Sequence, residues 1–251
     1  MTDHFQKDRA YHEEIAGEYD AVVVNPREIN NFFIFRRVLP HIGKGKRMID
    51  LGCGTGHMPL RLHNKFKEIL AVDHSAAMIE QADRKTRNKG VDNIEFVQAN
   101  VLDYVSQYQG EKADLVSCIG FLHHLIPTQL PRLFRSLAAI LSPGGKLLIS
   151  EPIKINAGQV PHKILKWNEK SVAPELQYRA SDIEDPDEEQ LDKDNLVYLL
   201  ERTGFRLLQT QRNWEIFPRR LPPGIMDWLN IYRLNVRYGR NGNVFTVLAV
   251  N

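Results

Sequence analysis

The sequence predicts an α/β fold built on a doubly wound, seven-stranded sheet, mostly parallel, with one antiparallel strand near its edge. Three observations predict it. Short apolar runs alternate with amphipathic segments, the pattern of a parallel sheet covered by helices. A glycine-rich stretch, "GCGTG" at 52–56, follows the first run as a strand-to-helix turn would. The last two apolar runs have no full helix pattern between them, which makes them an antiparallel pair at the sheet edge.

The runs expected as strands are 47–51, 69–73, 94–99, 113–120, 145–151, 205–217 and 243–250. A helix follows Gly56 through "HMPLRLHNKF", with Pro59 in its first turn, where a missing N–H has no helical partner to lose. Ser75 N-caps a second helix that stops at Gly90. Leu130, Leu133, Phe134, Leu137 and Leu141 recur at helical spacing, and "SPGG" at 142–145 ends that helix and turns the chain into the next strand. "DPDEEQLDKDNLVYLLERTGF" starts with acids, which suit a helix N-terminus, and Gly204 ends it. Three segments stand outside this alternation: a helical cover over residues 1–45, and insertions at 153–182 and 218–239. They are expected to lie over the C-terminal edge of the strands, where open α/β sheets bind ligands. The whole chain, 1–251, is expected to form one domain around a core at 46–151.

Composition narrows the function. Hydrophobic residues make up 43% and charged residues 25% of the 251, ordinary for a soluble globular protein. A formal net charge of +2 is too small to be a nucleic-acid footprint. No apolar run approaches the roughly 18 residues that span a bilayer, and the polar N-terminus lacks a signal-peptide core. Cys53 and Cys118 do not make a disulfide framework. A cytoplasmic protein is expected.

Gly52, Gly54 and Gly56 leave a turn where a ligand can touch the backbone, because no Cβ intervenes. A nicotinamide-binding turn, G-x-G-x-x-G, would need a third glycine at the position of His57. Asp73 ends the second run, 21 residues after Gly52, where a carboxylate can accept the hydroxyls of a ribose. It could equally cap the next helix beside Ser75. The two features in this order favour a nucleoside ligand.

"IDLGCGTG", "AVDHSAAMI", "FVQANVLDY", "ADLVSCIGFLHHL" and "LSPGGKLLISEP" resemble, in order, the motifs of the class I S-adenosylmethionine-dependent methyltransferases, and "EEIAGEYDAVV" resembles the leading helix of their small-molecule members. The resemblance is strong over about 46–150. It implies a Rossmann-like fold with S-adenosyl-L-methionine as cofactor. It also implies that Gly52, Cys53, Gly54 and Gly56 meet the methionine part of the cofactor and that Asp50 orients the loop near its ammonium. Asp73 would hold the ribose, His74 and Val101 would flank the adenine, and Asn100 would face its amino edge in place of the family's usual acid. Ile119 would lie beside the methyl group, and Tyr19 would close over the cofactor.

Methyl transfer is an in-line displacement from a good leaving group, so alignment of the nucleophile alone can supply about 7–11 kcal/mol. His123 and His124, just past the fourth run, are the candidate bases, with Glu151 as a further candidate. All three can instead pack and hydrogen-bond the adjacent loop. No Asn/Asp-Pro-Pro-aromatic stretch marks a nucleic-acid amino-methyltransferase, and the fourth run ends "SCIG" without the acids a metal-assisted site would want, so no metal is expected. The cysteines are too few for arsenic chemistry and are expected to be buried thiols.

Trp214, Phe217, Trp228, Tyr232 and Tyr238 mix with Arg219, Arg220, Arg233 and Arg237 near the C-terminus. Ile225, Trp228, Leu229 and Tyr232 fall at helical spacing. The segment is either a helix covering the sheet edge or a lid over a small, aromatic or lipid-like acceptor. Two other functions compete with methyl transfer to such an acceptor: a nicotinamide-dependent oxidoreductase, and an inactive cofactor-binding partner protein.

Overall fold

A computed structural model describes residues 2–25, 35–36, 38–154, 161, 191–214, 225–238 and 244–251. Most of the expected insertion at 153–182, residues 218–224 and 239 of the other, and 26–34 and 37 of the N-terminal cover lie outside these, as do Phe217, Arg219 and Arg220.

The chain opens with α1 (Thr2–Ile15), a π-helical turn (Asp20–Val24) and α2 (Leu39–Ile42). It then alternates through β1 (Gly45–Leu51), α3 (His57–Leu62), β2 (Phe66–Asp73), α4 (Ala76–Asn88), β3 (Ile94–Gln98), α5 (Val101–Ser106) and β4 (Ala113–Ile119). Two 3-10 turns (Leu122–His124 and Pro127–Gln129) lead into α6 (Leu130–Ile140) and β5 (Leu141–Pro152). The described residues close with α7 (Lys193–Arg202), β6 (Arg206–Asn213), α8 (Ile225–Tyr238) and β7 (Val244–Val250).

One seven-stranded sheet results, in the order β3-β2-β1-β4-β5-β7-β6. The pairs among β1 to β5 are parallel, and β7 runs antiparallel to both β5 and β6. The Rossmann-like, doubly wound expectation holds, with the single antiparallel strand next to the edge. The chain leaves β1 toward β2 on one side and returns to β4 on the other. The crevice above β1 is therefore the topological switch point, where such sheets bind ligands.

Both faces of the sheet are buried, which is why its strands read as continuous apolar runs. Ile49, Leu51, Val72, Val116, Leu147 and Val247 pack with Leu133, Phe134 and Leu137 of α6 and Leu196 and Leu200 of α7 on one face. Met48, Ile69, Leu115, Leu148 and Leu248 pack with Phe35, Val38, Met58 and Leu62 on the other.

Several bounds differ from the sequence reading, with β1 and β2 beginning earlier, at Gly45 and Phe66. The helix after Gly56 stops at Leu62 instead of running to Phe66, because Lys65 turns the chain: its N–H donates to Leu62 O (2.8 Å) and its carbonyl accepts from Gly45 N (3.0 Å). β5 begins at Leu141, paired with Ala113, and the "SPGG" residues loop out before Lys146 resumes pairing at Leu115. The short α5 was not expected; Asn100 caps it.

Candidate active site

The three glycines of the turn are bare for different reasons. All have positive φ, at 69°, 48° and 77° for Gly52, Gly54 and Gly56. At Gly52 an added Cβ would strike the ring of Phe121 at 2.6 Å, so close packing excludes any side chain there. At Gly56 it would meet Ala82 at 3.0 Å, where α4 passes close by. At Gly54 it would find nothing nearer than Tyr19 Cε1 at 3.9 Å. Gly54 is thus the one of the three where an added Cβ would meet its neighbour, Tyr19, at ordinary contact distance, and there its positive φ rather than crowding disfavours a side chain.

Two carboxylates lie beside the turn. Asp50, near the end of β1, is 2% exposed and accepts a hydrogen bond from Ser117 Oγ on β4. Burial pushes its pKa up to about 7; the Ser117 bond works against that shift and the charge of Asp73 adds to it. Asp73 ends β2 and is also buried. Its Oδ2 accepts from Gly54 N (2.7 Å) and its Oδ1 from Ser75 N (3.0 Å), so it ties the glycine turn to the start of α4. Ser75 is the N-cap expected from sequence, its Oγ accepting from Met78 N. Cys53 and Cys118 are buried, and burial pushes both thiols up, reinforced by Asp73 and Asp50 near Cys53 and by Glu151 and Asp50 near Cys118.

Asn100 is exposed at the end of β3, and its side-chain oxygen accepts from the amides of Leu102 and Asp103. The oxygen expected to face an adenine amine is therefore occupied by the cap of α5. Val101 is buried beside it, and Ile119 is half-buried at the end of β4.

The neighbouring histidines face different carboxylates. His123 is buried, and its Nδ1 lies 2.7 Å from Glu151 Oε2. Glu151, fully buried at the end of β5, takes the amides of Phe121 and Leu122 on its other oxygen, each at 2.9 Å. His124 is half-buried and points its Nδ1 to within 2.9 Å of Asp8 Oδ1 on α1.

Asp8 was missed by sequence reasoning, and so was most of what holds α1 in place. His74 Nε2 is 3.3 Å from Asp8 Oδ2, and His12 Nδ1 is 3.4 Å from Oδ1. Burial opposes ionisation of Asp8, but His124, His12 and His74 together outweigh it and hold the carboxyl below its ordinary value. Burial lowers the pKa of His12, with Asp8 opposing. Glu13 accepts from the amides of Ala76 and Ala77 (2.8 and 3.0 Å) and so covers the positive end of α4 from outside. Asp20 accepts from Thr55 Oγ1 (2.5 Å) and pairs with Lys85 (2.6 Å). The four-residue spacing of Asp8 and His12 was a visible signal of one helix face; their partners were not.

α8 meets the same edge of the sheet through Asn235, whose Oδ1 accepts from Trp214 N (2.9 Å). Ile231 is its buried contact, whereas Ile225, Met226, Leu229 and Tyr232 are exposed. Of the four residues at helical spacing, Ile225, Leu229 and Tyr232 are exposed and Trp228 is half-buried. Arg36 lies over the Tyr232 ring at 5.8 Å.

A family profile described as a methyltransferase domain matches residues 42–204. A probable S-adenosylmethionine-dependent methyltransferase of Saccharomyces cerevisiae is 31% identical over 137 residues, 54% of this chain and 42% of that one. An uncharacterized RNA methyltransferase of Leptospira interrogans is 27% identical over 93 residues, 37% of this chain and 23% of that one. The chain therefore spans less than half the length of either curated relative. Among solved structures, the N-methyltransferase NodS of Bradyrhizobium japonicum, in complex with S-adenosyl-L-homocysteine, has the same fold, with a TM-score of 0.61, 14% identity and coverage of 98% of each chain. Among the described residues, no helix is long and apolar enough to cross a membrane. The profile covers more than half of the chain and includes the glycine turn, both flanking carboxylates and the histidine pair, and on that ground the chain belongs to the class I S-adenosylmethionine-dependent methyltransferases.

Proposed function

We propose that the protein transfers a methyl group from S-adenosylmethionine to a small, aromatic or lipid-like acceptor by in-line displacement. The observation that carries this reading is the turn at Gly54, whose added Cβ would meet only Tyr19 and whose amide is tied to the strand-end acid Asp73. When bound, the cofactor supplies a methyl group on a sulfonium that leaves as a neutral thioether. Asp73 would accept the ribose hydroxyls on the lone pairs that its bonds to Gly54 N and Ser75 N leave over. Asp50 takes the cofactor ammonium, and the pairing favours its ionised form. Gly52, Cys53 and Gly56 shape the turn, His74 and Val101 flank the adenine, Ile119 lies beside the methyl, and Tyr19 covers it.

Neither histidine removes a proton in this mechanism. His123 is held by Glu151 and His124 by Asp8. Both act as positioning residues for the loop after β4, and alignment of acceptor and methyl carries the transfer. The exposed apolar residues of α8 and the net charge of +2 favour an apolar small molecule over RNA as acceptor.

Calorimetry with S-adenosylmethionine, S-adenosylhomocysteine and NAD tests the reading. Binding of the first two without the third is expected; tight NAD binding would overturn it. Release of labelled methyl to a metabolite extract separates an enzyme from an inactive cofactor-binding protein.

A further inference from the structure

The N-terminal cover brings to the cofactor edge a donor set that methyl transfer does not use. Asp8 and His12 share one face of α1. His124 comes from the 3-10 turn after β4, and His74 directly follows β2. One donor atom from each of Asp8, His12 and His124 lies within 4.8 Å of the others. A tetrahedral zinc ion, with bonds of roughly 2.0–2.1 Å, sets its donors about 3.4 Å apart. His124 Nδ1 is already 2.9 Å from Asp8 Oδ1.

Two further observations point to an ion. Asp8 is only 3% exposed, yet its Oδ1 has no hydrogen-bond partner among the described residues. His124 Nδ1 lies 2.9 Å from that oxygen, an approach that suits two donors facing one cation. The outer contacts fit as well. His12 Nδ1 lies 2.9 Å from the backbone carbonyl of Asp8; donating there leaves the lone pair on Nε2, the tautomer control usual for a metal-bound histidine. His74 meets the other carboxylate oxygen, Oδ2, at 3.3 Å.

We propose that Asp8, His12 and His124 bind one divalent transition-metal ion of the zinc class, with His74 holding the carboxylate from outside. Imidazole and carboxylate donors suit Zn²⁺ and its substitute Co²⁺. Three protein ligands leave a coordination position open. The ion joins α1 to the turns after β2 and β4 and so fixes the cover beside the cofactor cradle. Binding of the ion does not depend on methyl transfer, so failure of either idea leaves the other testable.

The test uses tag-free protein stripped with a chelator and titrated with Co²⁺. One equivalent per chain, a ligand-field spectrum, and displacement by Zn²⁺ are expected. His12→Ala and His124→Ala should each weaken binding by more than the roughly 10–100-fold that loss of an outer partner alone costs. His41→Ala, at the opposite end of the sheet beside Lys146, should bind as the parent does. Circular dichroism checks that the variants fold. Should they not, Co²⁺ added to the parent protein should broaden the ring signals of His12, His74 and His124 and leave His41 and His63 sharp. No one-equivalent binding, unchanged binding in both ligand variants, or broadening that spares His12 and His124 overturns the proposal.

Discussion

His123 and His124 are adjacent in sequence and their rings stack at 4.0 Å, yet the carboxylates they face differ in kind. Glu151 is saturated: two backbone amides fill one oxygen and His123 the other, all within the loop that follows β4. Asp8 is surrounded by three imidazoles drawn from three separate elements, and one of its oxygens still has no hydrogen-bond partner among the described residues. A saturated buried carboxylate holds a loop, and nothing is left for a ligand to take. An unsaturated one is poised for a ligand. The two acids of the cofactor cradle also differ. Asp73 accepts one protein amide on each oxygen and keeps acceptor capacity for a ribose, whereas Asp50 is held toward its neutral form by burial until a cation arrives.

The largest effect is expected where saturation is complete. Glu151→Ala leaves Phe121 N, Leu122 N and His123 without their partner, and breaking such a buried set costs about 3–5 kcal/mol. Urea unfolding measures it, and a loss below about 0.5 kcal/mol, the range of an ordinary surface change, would remove the distinction drawn here. His123→Ala, by the same logic, should keep near-parental turnover per folded molecule. A large loss of turnover in the folded variant would restore His123 as the base.

Asp73→Ala comes next. A hydrogen bond to a charged group is worth roughly 1.5–3 kcal/mol, so cofactor binding should weaken about 10–150-fold. The melting temperature should fall too, because Gly54 N and Ser75 N lose their acceptor. An unchanged dissociation constant would leave Asp73 as a helix cap alone.

Asp50 gives a pH signature. Its folded pKa is raised from 3.8 to about 7, so the folded state holds a proton that the unfolded state has lost in that window. Its contribution to stability is fully present below pH 3.8 and is lost as pH rises to about 7. Asp73 and the thiols of Cys53 and Cys118 surround it. Cofactor binding needs the ionised form and has the opposite slope, tightening with pH up to about 7, by at most about tenfold per unit for one proton released. Calorimetry from pH 5.5 to 8 (about one and a half units below and one above the titration) checks it, and Asp50→Asn should flatten the curve. A parent curve that is already flat would deny Asp50 the ammonium.

The smallest effect is expected at Tyr232. An exposed cation–π contact such as that with Arg36 contributes about 0.5–1 kcal/mol, so Tyr232→Ala should barely change stability. Turnover with the true acceptor should still fall if α8 covers the acceptor. Parental turnover would make α8 a cover of the sheet edge only.

What the sequence made legible is what depends on short spacing. The strand-to-helix turn at Gly52–Gly56, the acid at the end of β2 and the Ser75 cap are each set by residues within a few positions of one another. The parallel strands were legible because burial on both faces leaves them apolar throughout. The family motifs placed Asp50 and Tyr19, which spacing alone did not. Ser117 was not legible as the partner of Asp50, because the two meet only through the β1–β4 pairing, 67 residues apart. The role of Asn100 as a cap was not legible, because it shows only once α5 is seen. Which side of α8 is buried was not legible, because hydrophobic spacing marks a helix without saying which side its neighbours occupy; Asn235, a polar residue, lies on the buried side.

The place of β7 has a consequence for how the chain is made. β7 is the last strand in sequence but lies between β5 and β6, so β5 pairs with residues about a hundred positions later, from Lys146 with Val250 to Pro152 with Val244. The strands β1 to β5 can pair with one another as they leave the ribosome. Among the described residues β6 has no neighbour but β7, so it must wait until residue 250 has emerged. At about 5–20 residues per second, that is a wait of some seconds during which one edge of β5 and both edges of β6 are open templates for foreign strands. Nascent-chain arrest before residue 244 should therefore leave an ordered parallel half beside a protease-sensitive β6, and release past residue 250 should close the sheet in one step.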